Sequence, residues 1–122
     1  MSSSLKRFFK SFFHAYVGIK TGFDQRNMKI HGIVFMVVLS AGLVYQISIL
    51  EWVLVVMVSA LVMATELINS SIEELANLIR DHHRLGYPAT KAIRDMAAGA
   101  VLISALAATL VGLVIFLPKL GF

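Results

Sequence analysis

The chain contains no cysteine. That excludes disulfides, thiolate metal sites and cysteine nucleophiles, and it leaves the redox compartment unread. Charge is scarce too: Asp, Glu, Lys and Arg make up 15% of the 122 residues, against 58% hydrophobic residues and a mean hydropathy of +0.81. A soluble domain of this size is far less apolar, so the composition is that of an integral membrane protein. No long apolar run and no small-residue cleavage site follow the basic N-terminus, so no signal peptide is expected. The length suits a single domain, residues 1–122, without a separate soluble unit, and no nucleic-acid partner is expected.

What is present first is an amphipathic N-terminus. Residues 1–29 hold Lys6, Arg7, Lys10, Lys20, Arg26 and Lys29. Leu5, Phe8, Phe9, Phe12, Phe13, Tyr16 and Val17 recur at helical spacing between them. This pattern predicts a helix lying in the membrane interface. A helix folded back on the membrane spans would bury the same face, and the spacing alone does not choose between them.

From Ile30 to Ile68 the chain is almost continuously apolar. At 1.5 Å per residue it would reach about 58 Å, too long for one crossing of a ~30 Å hydrocarbon core. The break falls at "YQISILEW", where Gln46 and Glu51 are polar and Tyr45 and Trp52 suit the headgroup belt. Neither glycine nor proline marks this turn. The first two spans are read as about 31–47 and 50–70. Residues 80–95, "RDHHRLGYPATKAIRD", read as a polar loop in which Pro88 can open a new helix. The third span is about 96–117, stopped by Pro118. The expected fold is therefore all-α, one interfacial helix and three transmembrane helices.

Ten of the eleven Lys and Arg residues lie in the N-terminal segment or in 80–95, and the other side has Lys119 alone. The positive-inside rule then puts the N-terminus and the 80–95 segment in the cytoplasm.

The second span ends in "ATELINSSIEELANLI". At 100° per residue, Glu66, Asn69, Ser70, Glu73 and Asn77 share an arc of about 100°, with Glu74 just outside it. A structural explanation is available: a helix emerging into water shows charged residues, and Ser70 with Glu73 fits a capping box that would start a new helix. Glu66 fits that explanation least, because it lies within the apolar run, where an ionisable group faces a partner, a cavity or a site. Two carboxylates and a carboxamide on one stripe can supply a general base, a metal ligand and a group that orients a hydroxyl.

The third span carries small residues at every fourth position, Ala100, Ser104, Ala108 and Gly112, a pattern that lets another helix approach closely. Arg94 and Asp95 stand before it at the membrane surface. A cation near paired carboxylates there can clamp a phosphate.

"ELINSSIEELANLI", followed by "IRDMAAGAVLISALAATLVGLVIFLPKL", resembles the prokaryotic diacylglycerol kinase family, and "AAGAVL" and "FLPKL" look more like its undecaprenol kinase branch. The resemblance runs from "RFFKSFFHAYVGIK" through "QRNMKIH" to the third span. It implies a homotrimer in the bacterial cytoplasmic membrane that moves the γ-phosphate of ATP, with Mg²⁺, onto the hydroxyl of undecaprenol or diacylglycerol. The family has no P-loop, and no G-x-x-x-x-G-K-[ST] occurs here. By resemblance Glu66 is the catalytic base and Asn69 the polar residue beside it. The lipid hydroxyl approaches near Asn69 and Ala98, and Glu73 is the Mg²⁺ ligand. Arg7, His14, Asp81, His82, His83, Arg94 and Asp95 fall at nucleotide-contacting positions.

Four substitutions depart from the family pattern. Gln25 stands where a second metal-binding glutamate is expected, and Asp24 beside it could serve instead. His14 replaces a tyrosine, Asn77 an aspartate, and Arg94 a lysine, keeping charge but changing geometry. The stretch from Arg80 to Ile93 also looks longer than usual and contains an uncommon Gly86-Tyr87-Pro88. Two other readings stay open: a family member that binds lipid or a partner with altered or lost activity, and a small transporter or channel subunit using Glu66 as an ion site. Against the second, no polar stripe crosses the first or third span.

Overall fold

A computed structural model describes residues 2–83 and 85–122. Four α-helices follow one another: α1 Ser3–Gly22, α2 Arg26–Val44, α3 Ile49–His83 and α4 Tyr87–Phe116, with a closing 3₁₀ turn over Pro118–Leu120. No strand occurs among the described residues. Helices α2, α3 and α4 are each long and apolar enough to cross a membrane.

Helix α1 begins at a side-chain cap, where Ser2 Oγ accepts from the Leu5 N–H at 3.2 Å. Its aromatic face is bare: Phe8, Phe9, Phe12, Phe13 and Tyr16 are all exposed. The fold-back alternative is therefore not what this chain adopts by itself. Gly22 alone of α1 is buried, packed so closely against Leu67 that a Cβ could not fit without moving that side chain.

The turn after α2 lacks glycine yet closes as a Schellman motif. The Ile47 N–H donates to Gly42 O at 3.2 Å and the Gln46 N–H to Leu43 O at 3.4 Å. Gln46 takes the left-handed conformation (φ 51°) that glycine usually fills. Ile47 is buried beside Gly42, and a Cβ on Gly42 would meet the Trp52 ring at 2.6 Å. A true capping box follows, with the Ser48 N–H donating to Glu51 Oε1 at 3.0 Å and the Glu51 N–H to Ser48 Oγ at 3.2 Å.

The capping box expected at Ser70 and Glu73 is thus corrected, because α3 runs unbroken through both residues. The 80–95 loop is corrected as well. Helix α3 continues to His83, α4 starts at Tyr87 with Pro88 in its first turn, and Arg84 between them lies outside the described residues. Polarity misled here because helices that leave the bilayer are solvated on most faces and still helical. At 35 residues α3 reaches about 52 Å. A ~30 Å core entered at Ile49 is left near Ile68, which puts Glu66 at the boundary and Glu73 beyond it.

Helices α3 and α4 form the most extensive pair in the chain. Val55, Val62, Asn69 and Ala76 are buried at every seventh position of α3, and Thr90, Ala97 and Ser104 at every seventh of α4. A seven-residue repeat on both helices is a coiled-coil seam. Val55 packs with Ile47, Ile115 and Val111 at the far end, so the helices run antiparallel and the turn bearing Asn69 lies opposite the one bearing Ala97. Of the expected four-residue ladder, Ser104 is buried in this seam, Ala100 is exposed, and a Cβ on Gly112 would meet nothing within 4 Å.

Candidate active site

The seam turns polar toward the C-terminal part of α3. Glu66 and Asn69 are 3% and 4% exposed, buried like core leucines although one is a carboxylic acid. They lie three residues apart, so both face inward from one turn of α3. Asn69 Nδ2 donates to Glu73 Oε1 at 3.3 Å, one turn further on. That bond fixes the carboxamide, and its other end, Oδ1, is buried with no partner. An unmatched buried acceptor is costly unless something arrives to donate to it. Glu73 is exposed beyond the buried pair. The structure thus joins Glu66, Asn69 and Glu73 on one stripe, as the sequence pattern suggested.

Helix α4 supplies a cation. Arg94 is half-buried, donates from Nε to Thr90 Oγ1 at 3.0 Å, and stacks its guanidinium 5.3 Å above the Tyr87 ring. Its Nη2 is buried and unmatched. Asp95 points elsewhere: it is exposed and pairs with Lys91 one turn back. Arg94 and Asp95 therefore do not act on each other, despite being adjacent. Ala98, next to buried Ala97, is exposed at the level of Asn69.

Other candidates stand apart within one chain. Arg7 and His14 are exposed on α1, whose one buried residue is Gly22; Arg7 is fifteen residues before it, about 22 Å along the helix. Asp81, His82 and His83 are exposed in the last turn of α3, where Asp81 accepts from Arg80 Nε at 3.0 Å. Asp24 and Gln25 are exposed in the α1–α2 turn, and Gln25 occupies the N-cap of α2 without a side-chain capping bond.

Among the described residues no three His, Cys, Asp or Glu side chains gather as a self-sufficient metal cage. Mg²⁺ needs no such cage, since it is commonly held by one or two carboxylates together with substrate phosphates and waters. An exposed Glu73, steadied by Asn69, has the hard oxygen donors that this requires. The residues present fit such an ion.

One neighbour escaped the sequence reading. His31, on α2, brings Nε2 to 3.6 Å from Glu66 Oε2. A lone histidine at the start of an apolar helix carries no spacing signal. Only packing α2 on α3 reveals the pairing.

A family model described as prokaryotic diacylglycerol kinase matches residues 13–116. An undecaprenol kinase from Bacillus subtilis (strain 168) is 41% identical over 119 residues, 97% of this chain and 94% of that protein. A diacylglycerol kinase from Synechocystis sp. is 34% identical over 113 residues, 90% of this chain but 62% of that protein. No solved structure matches.

Proposed function

The chain belongs to the prokaryotic diacylglycerol kinase family, and from that premise we propose that it is an ATP-dependent lipid kinase phosphorylating the hydroxyl of undecaprenol or diacylglycerol. The carrying observation is the buried Glu66 beside the unmatched Asn69 Oδ1, placed where α3 leaves the membrane. A lipid hydroxyl can reach that depth without leaving the bilayer, and a nucleotide can reach it from water.

Glu66 accepts the hydroxyl proton while the oxygen attacks the γ-phosphorus in line, and ADP departs. Asn69 Oδ1 orients the same hydroxyl, close to the exposed Ala98. Arg94, with a donor left over at Nη2, neutralises charge on the phosphates. Glu73, with Asp24 or Gln25 as a second donor, would hold Mg²⁺, which would supply positive charge against the nucleotide phosphates. Arg7, His14, Asp81, His82, His83 and Asp95 belong to the nucleotide-facing surface. Since Arg7 and His14 lie far along α1 from its contact with α3, their role calls for α1 of a neighbouring copy. A homotrimer meets that need, and seven buried apolar residues among the described residues of one chain are few for three spans. Its N-terminus and the α3–α4 connection face the cytoplasm in this reading.

Purified protein with γ-labelled ATP, tested on a panel of undecaprenol, diacylglycerol and lipids lacking a free hydroxyl, with and without Mg²⁺, provides the test. Label should enter the first two lipids only, and only with the metal. No transfer to any lipid, with ATP or lipid still bound, would instead identify a family member that binds without catalysis.

A further inference from the structure

Every turnover leaves a proton on a carboxylate that has almost no access to water. Glu66 has a side-chain exposure of 4%, whereas His31, 3.6 Å away, is 24% exposed. On its other flank His31 lines a cavity of about 370 Å³ between α2, α3 and α4, whose remaining lining residues are all non-ionisable. The imidazole therefore has one ionisable partner at hand and is the more accessible member of the pair.

We propose that His31 is the positioning residue of Glu66, holding its carboxylate and passing to water the proton that Glu66 takes from the lipid. The inference rests on the lipid-kinase reading above. In the step, the lipid O–H bond breaks and its oxygen bonds to the γ-phosphorus. The bond from that phosphorus to the bridging oxygen breaks, and its electron pair leaves on ADP. The proton goes to a Glu66 oxygen, then to Nε2 of neutral His31, then to water. At 3.6 Å the pair is longer than a hydrogen bond. Catalytic contacts are commonly long without substrate and tighten when it binds.

The charged surroundings are few. On α3 the next carboxylate is Glu73, engaged with Asn69. Helix α2 offers Arg26 and Lys29, both exposed on turns preceding His31, and α1 offers Lys20, also exposed. Helix α4 presents Ala97 and Ser104 to the seam, neither of them ionisable, and its site cation Arg94 is engaged with Thr90 and Tyr87. His31 is thus the group in ion-pair range of Glu66 among the described residues.

The full chain with His31→Gln and, separately, His31→Ala tests this, using lipid and γ-labelled ATP. Both variants should keep the wild-type elution volume and thermal midpoint; if Ala does not, Gln carries the test. In His31→Gln, kcat should fall on the order of tenfold, less than loss of the base itself, with KM for ATP and lipid little changed. Added imidazole should raise kcat of His31→Ala. Wild-type kcat in His31→Gln would overturn the proposal, as would His31→Ala indifferent to imidazole. A wild type that phosphorylates no lipid removes the kinase reading and this inference together, whereas an active wild type indifferent to His31 removes this one alone.

Discussion

The two ends of α3 each carry glutamate, with opposite treatment. Near its start, Glu51 closes the capping box with Ser48 and accepts from Lys119 Nζ at 3.0 Å, joining α3 to the end of α4. Every contact there is made within the chain. Toward its other end, Glu66 is more deeply buried, Asn69 keeps an unmatched acceptor, and Arg94 of α4 keeps an unmatched donor. Satisfied polar groups at one end fasten the helices together. Unsatisfied groups at the other are the acceptor and donor that the proposed site would offer to a hydroxyl and a phosphate.

The contrast breaks most sharply at Glu66. Glu66→Gln keeps the shape and the hydrogen-bonding capacity but cannot take a proton, so lipid phosphorylation should drop about 10²–10⁴-fold with assembly size unchanged. Near-normal turnover in a radiolabel assay would move the base elsewhere. Asn69→Leu comes next. It deletes both the acceptor and the donor to Glu73, and losing hydrogen bonds to charged or reacting groups should cost on the order of ten- to a hundredfold in kcat/KM. Equal effects on a lipid substrate and on background ATP hydrolysis by water would show that Asn69 does not orient the lipid hydroxyl.

Metal dependence should respond more mildly. If Gln25 occupies a metal position, Gln25→Glu should lower the Mg²⁺ concentration giving half-maximal activity. If Asp24 serves instead, Asp24→Asn should raise it and Gln25→Glu should do little. A titration unmoved by either substitution takes the α1–α2 turn out of the metal site. The smallest effect belongs to the satisfied end. Glu51→Gln retains a capping-box side chain but loses the ion pair with Lys119, so the thermal midpoint should fall only slightly, with activity unchanged. Loss of activity there, at a preserved thermal midpoint, would erase the distinction between the two ends.

Much of the site was legible because helical periodicity is a property of one chain segment. Glu66, Asn69 and Glu73 had to share a stripe once that segment was helical, and the apolar run placed Glu66 near the end of a span. The 80–95 segment was misread for the converse reason: polarity reports exposure to water, and a helix projecting past the bilayer is as exposed as a loop. Asn77 and Ser70, on the same arc as the candidate stripe, show the limit of periodicity alone, since both remain only half-buried. The small residues of α4 were ambiguous too, because Ser104 belongs to a four-residue ladder and to a seven-residue seam. Which one is used depends on the partner helix.

Composition and apolar run length by themselves determined a helical membrane protein with three spans, because hydrocarbon admits only segments that satisfy their own backbone. Spacing along α3 determined which carboxylates share a face. Tertiary structure decided what those faces meet: that the α3–α4 seam runs through Asn69, that Arg94 and Asp95 turn to different partners, and that His31 reaches Glu66 from another helix. Such contacts depend on the register and rotation of one helix against another. These are fixed by the fit of side chains from distant segments, and no local spacing encodes them.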